Sequence, residues 1–199
     1  MGGGFAWVRF LLGVDLSVYY SPFNMIQYSV IEMSKTMDNL AAAFAGESQA
    51  NRKYLAFAKR ADDEGYPQVA KLFRAAAVAE TVHAHNHLRI MGGIHTTKEN
   101  IMEAINGETY EFNDMYPDFL KVAEEEGEKQ AVWSFDIANE VEKIHADLYK
   151  KASMALNKDS DLETVEYYVC SVCGNTVEGN PPDKCPICKA GKKAFDKVD

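Results

Sequence analysis

Between Asp38 and Leu156 apolar side chains return at alternating three- and four-residue steps, the spacing that keeps them on one face of an α-helix. The pattern breaks around Gly65, Gly92-Gly93 and Gly127, so it predicts four helices, over roughly Asp38 to Asp63, Pro67 to Met91, Lys98 to Glu126 and Glu128 to Leu156. Each inward stripe is apolar at its ends and acidic or imidazole in its middle. The first runs from Leu40 and Phe44 through Glu47 to Tyr54 and Ala61, the second from Val69 and Phe73 through Glu80 and His83 to Ile90. The third passes from Ile101 through Glu108 to Phe119, and the fourth from Ala131 and Phe135 through Glu142 and His145 to Tyr149.

The second half of this region repeats the first. An offset of 62 positions lays Gly65 on Gly127, Phe73 on Phe135, Glu80 on Glu142 and His83 on His145. An offset of 61 lays Gly46-Glu47-Ser48 on Gly107-Glu108-Thr109, and one further position brings Tyr54 onto Tyr116. The chain therefore reads as a duplicated helical hairpin. Glu47 and His83 each lie 18 residues from Gly65, and Glu108 and His145 lie 19 and 18 from Gly127. At 1.5 Å per residue, the polar groups of each hairpin meet about 27 Å from its turn, and four helices are expected to converge them on one plane.

Burying several carboxylates in an apolar bundle costs several kcal/mol each unless a cation compensates them. One Glu from each of two helices and a Glu-x-x-His from each of the other two is the arrangement of ferritin-like di-iron or di-manganese carboxylate sites. In Glu-x-x-His the two side chains share a helix face, so the carboxylate can bridge two ions while the imidazole terminates one. Glu111 breaks the repeat, because its counterpart is Ala50, and it adds a seventh candidate ligand one turn beyond Glu108. His83 and Glu111 could compete for one ion, imidazole favouring its ferrous and carboxylate its ferric state. Of the other histidines, His85 points away from the stripe, His87 reads as core filling, and His95 falls in a loop.

After a polar linker at 157–164 come Cys170-Ser-Val-Cys173 and Cys185-Pro-Ile-Cys188, the spacing of a tetrathiolate site. Spacing alone admits zinc or a single iron. With Tyr167-Tyr168-Val169 ahead of the first pair, Gly174 after it, Pro186 inside the second and Phe195 beyond, residues 165–199 resemble a rubredoxin domain, which implies iron and electron transfer.

Gly107-Glu-Thr-Tyr-Glu111, Met115-Tyr-Pro-Asp-Phe119 and Phe44-Ala-Gly-Glu-Ser-Gln-Ala50 extend the likeness, so that residues 37–199 resemble rubrerythrin across both parts. The resemblance implies a mainly α chain: a ferritin-like four-helix bundle over 35–156 and a small rubredoxin-like metal-ribbon domain over 165–199. It also implies a non-haem di-iron peroxidase that reduces hydrogen peroxide to water, fed by a mononuclear iron on Cys170, Cys173, Cys185 and Cys188. Glu80 and Glu142 would bridge the irons, Glu47 and Glu108 would be terminal, and His145 would bind one iron permanently. His83 and Glu111 would alternate on the other, with Tyr54 and Tyr116 hydrogen-bonding near the ligands. The implied electron donor is a rubredoxin or an NAD(P)H-dependent reductase. A ferroxidase or iron-handling protein is the alternative use of such a bundle, but it has no need of a thiolate centre.

A formal charge of −9, from 21 basic and 30 acidic residues, with no basic stripe, argues against nucleic acid and anionic membranes as partners. The apolar region Phe5 to Ile31 is interrupted by Arg9, Asp15, Pro22 and Asn24, so it is too broken for a membrane span and lacks the charge order of a signal peptide. A cytoplasmic protein is expected, with residues 1–34 an N-terminal extension. Only about six residues join the second and third helices, too few to return along a bundle about 40 Å long. Either an up-down-up-down bundle or a domain-swapped homodimer is expected from that.

Overall fold

The structure, a computed structural model, describes residues 34–198. The extension expected over 1–34 therefore lies, but for Ser34, outside the described residues.

Helix α1 (Lys35–Asp63) begins three residues before the apolar pattern does, because extended Ser34 caps it, its hydroxyl accepting from the Met37 N–H at 3.3 Å. Gly65, at φ +83°, turns the chain into α2 (Pro67–Ile90), which opens on a proline at a position that needs no N–H. Helix α3 (Thr97–Tyr110) starts with a reciprocal cap between Thr96 and Glu99. The expected third helix then departs from α geometry. Residues Glu111–Met115 form a π-helical segment, in which the Tyr116 N–H bonds the Glu111 carbonyl five residues back, before α4 (Tyr116–Glu126) resumes. Gly127, at φ +74°, leads into α5 (Lys129–Leu156).

The π segment accounts for the change of offset between the repeats. One extra residue lies between Glu108 and Tyr116 compared with Glu47 and Tyr54, and the wider turn absorbs it. Beyond it the register is restored. Tyr116, Phe119 and Phe135 stand with ring centroids 6.3, 6.2 and 5.5 Å apart, and Tyr54, Phe57 and Phe73 with 6.4, 6.1 and 5.6 Å.

Helices α1 and α2 pack as one hairpin, and α5 packs along α3, the π segment and α4 as the other. The first interface is built from small side chains, Ala58, Ala61, Ala70, Ala77 and Ala84, which let the backbones approach closely. Asn51 ties it across, donating to the Ala77 carbonyl at 2.6 Å and to Thr81 Oγ1 at 2.8 Å. Larger apolar groups stay uncovered, among them Leu72 at 69% exposure and Phe57 at 48% on the first hairpin, with Val122 at 50% on the second. Among the described residues no helix of one hairpin packs along a helix of the other. Of the two arrangements expected from the short connection, the single up-down-up-down bundle is not formed within the chain, which carries two separate hairpins.

The C-terminal unit is a three-stranded antiparallel sheet in the order β2-β1-β3, from β1 (Tyr167–Cys170), β2 (Thr176–Glu178) and β3 (Phe195–Lys197). Its core is Cys170, Cys185 and Phe195, packed by Tyr168, Val177 and Ile187. It docks on α5, where Lys151 contacts both carboxylate oxygens of Glu178 at 2.7 and 2.8 Å. No helix of the described residues is long and apolar enough to cross a membrane.

The two cysteine loops end alike, in Gly174 at φ +83° and Lys189 at φ +64°. A side chain in the left-handed region costs about 1 kcal/mol, which glycine avoids. Lys189→Gly is expected to stabilise the C-terminal unit by up to about 1 kcal/mol, the loss of the Lys189–Pro186 hydrogen bond offsetting part of it. Thermal release of the thiolate-bound metal, followed by absorbance, checks this.

Candidate metal centres

Each hairpin gathers its polar mid-stripe into one compact group. Glu47, Glu80 and His83 form the first and Glu108, Glu142 and His145 the second, every group offering ligand atoms within 4.8 Å of one another. Helix spacing does the positioning, since i and i+3 residues share a face. His83 Nδ1 lies 2.8 Å from Glu80 Oε2, and His145 Nδ1 lies 2.7 Å from Glu142 Oε2 and 3.8 Å from Glu108 Oε1. The six residues thus form two equivalent sets, each of two carboxylates and an imidazole. The first is the more open, with the His83 side chain 53% exposed against 28% for His145.

Electrostatics in the second group show why a cation fits. Burial, reinforced by a hydrogen bond with Glu142 and that residue's charge, pushes Glu108 up to about 7. Burial also acts on Glu142, but hydrogen bonds from His145 and Glu108 outweigh it and bring its carboxyl down. The negative charges of the two carboxylates oppose each other, and His145 offsets only part of that repulsion. The hydrogen bond to Glu142 raises His145 against the opposing effect of burial. Burial and the Glu142 charge raise Glu111, which lies near this group without joining its close set. Two hard carboxylates and a borderline imidazole per half suit iron, manganese or zinc.

Tyr54 and Tyr116 occupy the aromatic trios about two turns from Glu47 and Glu108. Burial, followed by the charges of Glu142, Glu111 and Glu108, raises the Tyr116 phenol. Among the described residues neither phenol donates to a ligand carboxylate, so the hydrogen bonds expected of these tyrosines are not formed within one chain. His85 is exposed and His87 half-buried, with its Nδ1 buried and unpartnered.

Sequence reasoning missed Thr176. Its hydroxyl donates to the Gly174 carbonyl at 3.1 Å and lies 3.0 Å from His145 Nε2. The single hydroxyl proton is committed to Gly174, so Thr176 accepts from Nε2–H, which leaves Nδ1 facing the carboxylates as the metal-binding nitrogen. Only the docking of the C-terminal sheet on α5 brings this residue to the histidine.

Cys170 and Cys185 are buried, Cys173 and Cys188 half-buried, and all four are free. Their sulfurs approach at 3.7 Å for Cys170–Cys188 and 3.6 Å for Cys173–Cys185. A tetrahedral ion with metal–sulfur bonds near 2.3 Å would hold them about 3.8 Å apart. Burial pushes Cys173 up to about 12, whereas at Cys185 the backbone N–H groups of Cys188 and Ile187 outweigh burial and bring the thiol down to about 7. Such N–H donors stabilise thiolates and tune the ion they hold.

Two carboxylate–imidazole hairpins and a docked tetrathiolate ribbon define a ferritin-like di-iron protein with its own rubredoxin-like centre. The family model for rubrerythrin matches residues 38–153, and that for the rubrerythrin rubredoxin-like domain matches 168–196. Nigerythrin of Nitratidesulfovibrio vulgaris (strain Hildenborough) is 36% identical, over 87% of this chain and 91% of that one. Rubrerythrin-2 of Clostridium acetobutylicum is 34% identical, over 83% and 97%. A solved structure described as the fully reduced, all-ferrous state of nigerythrin is matched with a TM-score of 0.50 and 33% identity, over 94% of this chain and all of that one. The chain belongs to the rubrerythrin family, and its cofactors are those of the family, a di-iron centre and a four-cysteine iron.

Cys185→Ser removes a buried ligand of the mononuclear site, whose binding free energy is on the order of 10 kcal/mol. Metal content is expected to fall by about one ion per chain with loss of the thiolate-to-metal absorption. Far-UV circular dichroism should retain its helical signal, because the hairpins do not depend on the ribbon.

Proposed function

We propose that this chain is a peroxidase of oxidative-stress defence in the cytoplasm, reducing hydrogen peroxide to water with electrons delivered through its four-cysteine centre. The observation that carries the reading is the hydrogen-bonded link from His145 through Thr176 to Gly174, the residue after Cys173. A ferroxidase or iron store would gain nothing from a thiolate ion docked on a ligand histidine.

When bound, the two irons supply one electron each, so that one peroxide and two protons become two waters, and the mononuclear iron returns the electrons singly. Glu47, Glu80, Glu108 and Glu142 would hold the pair, with Glu80 and Glu142 as its bridging carboxylates. His145 is fixed by Thr176 with Nδ1 toward the pair. His83, on the more open group, and Glu111, on the π segment, would alternate as ligands of one ion as its charge changes. The raised Tyr116 phenol keeps its proton at neutral pH and can donate it to a reduced oxygen, and Tyr54 stands in the matching place on the other half. Electrons enter from an external donor, a rubredoxin or an NAD(P)H-dependent reductase.

Glu80→Ala is expected to abolish peroxide turnover while leaving the red thiolate–iron chromophore, and full activity in that variant would overturn the assignment. Thr176→Val keeps the side-chain shape and removes the hydroxyl. Stopped-flow measurement is expected to show several-fold slower oxidation of the reduced thiolate iron by peroxide, with metal content unchanged; an unaltered rate would place the electron route elsewhere.

A further inference from the structure

Between α3, α5, the linker and the C-terminal sheet lies a hollow of about 430 Å³, and Glu108 and His145 line it together with Thr176. A cavity of this size takes a small organic molecule, whereas hydrogen peroxide needs little more room than a water. Ile101 stands seven residues before Glu108 on α3, and Ala152 stands seven after His145 on α5. The two helices run in opposite directions, so both steps point the same way, and the hollow extends about 10 Å from the ligand pair. Its walls along that length are apolar. Leu148 and the Tyr149 ring come from α5, Leu162 from the linker and the Tyr167 ring from β1. The polar atoms on the ribbon side are already engaged, because the Tyr167 phenol donates to Glu178 Oε1 at 3.1 Å and Thr176 is held between Gly174 and His145. This wall belongs to one half of the repeat alone: Leu148 and Tyr149 stand where the first hairpin has Asn86 and His87.

An apolar channel that ends on ligand residues fits a molecule with a hydrocarbon body and a peroxide at one end. We propose that the hollow receives the hydrocarbon part of an organic hydroperoxide, ROOH, and sets its O–O group at Glu108 and His145, so that such hydroperoxides are substrates of this chain. This rests on the peroxidase reading. The O–O bond breaks, the terminal oxygen leaves as water, and the oxygen bonded to carbon is released as the alcohol ROH. Two electrons and two protons balance the step. The electrons are those of the di-iron pair, replaced singly through the four-cysteine iron from a rubredoxin or an NAD(P)H-dependent reductase, and the protons come from solvent. Burial of the hydrocarbon makes affinity depend on its length, each enclosed methylene tightening binding about fourfold until the hollow is full.

Binding is tested apart from turnover with straight-chain alcohols, which carry the tail and the product hydroxyl but no O–O bond. Butanol, hexanol and octanol are titrated into the full chain with zinc in its metal sites, and side-chain methyl resonances are followed by NMR. The methyls of Ile101, Leu148 and Leu162 should shift saturably, with affinity rising about fourfold per added methylene over the first members of the series. Leu162→Trp fills the hollow from the linker and should weaken octanol binding about tenfold or more. Ile101→Trp fills it from α3 and covers a fold lost to the first substitution. In the iron-loaded wild type, kcat/KM for cumene hydroperoxide should exceed that for tert-butyl hydroperoxide by about tenfold or more, following the larger apolar body. Absent methyl shifts, an affinity indifferent to chain length, or equal kcat/KM for the two hydroperoxides would overturn the proposal while hydrogen peroxide turnover leaves the peroxidase reading intact. Alcohols that bind to a chain whose iron-loaded form reduces no peroxide of any kind would remove that reading, and this proposal with it.

Discussion

Carboxylates drawn away from water need a compensating charge, and the helical part of this molecule is arranged around that need. Burial and the charge of Glu142 push the Glu108 carboxyl up, and His145 supplies only part of the balance. An ion meets the requirement more completely than one imidazole does, because it addresses several oxygens at once. The alanine-lined contacts and the polar tie of Asn51 follow from the same constraint. They fix the spacing of helices whose middles cannot hold themselves together by apolar packing.

Much of this was legible in the sequence, for a physical reason. Helix period and glycine turns are local properties, so Gly65, Gly127 and the Glu-x-x-His pairs located the hairpins and their ligand groups without tertiary information. The change of offset between Glu47 with Glu108 and Tyr54 with Tyr116 already contained the extra residue of the π segment. Its meaning was hidden because an insertion reads the same whether a loop or a widened helical turn absorbs it. Ser34 is a polar residue ahead of the periodic stretch, and as a cap it carries α1 three residues further than the apolar pattern reaches.

Two features depend on contacts that sequence spacing does not encode. A periodic stripe says which side of a helix is inward, but not whether the inward side meets the same chain. Within one chain the ligands accordingly fall into two groups, one on each hairpin. Thr176 gave no signal at all, since a threonine after a metal knuckle is ordinary and its partner lies 31 residues away on another element. The sheet's docking on α5, held in part by Lys151 and Glu178, turns it into a neighbour of the histidine. The two metal-binding regions are thereby joined through one hydroxyl and one carbonyl.

The π segment has a consequence for descent. A duplicated hairpin begins with two identical halves, and identical halves offer their ions identical surroundings. One more residue in the second copy, accommodated because a helix can widen by one residue without losing its direction, begins its wide turn at Glu111, where the first copy has Ala50, and the surroundings of the two halves differ there. The repeat supplied two like halves, and one additional amino acid made them unlike.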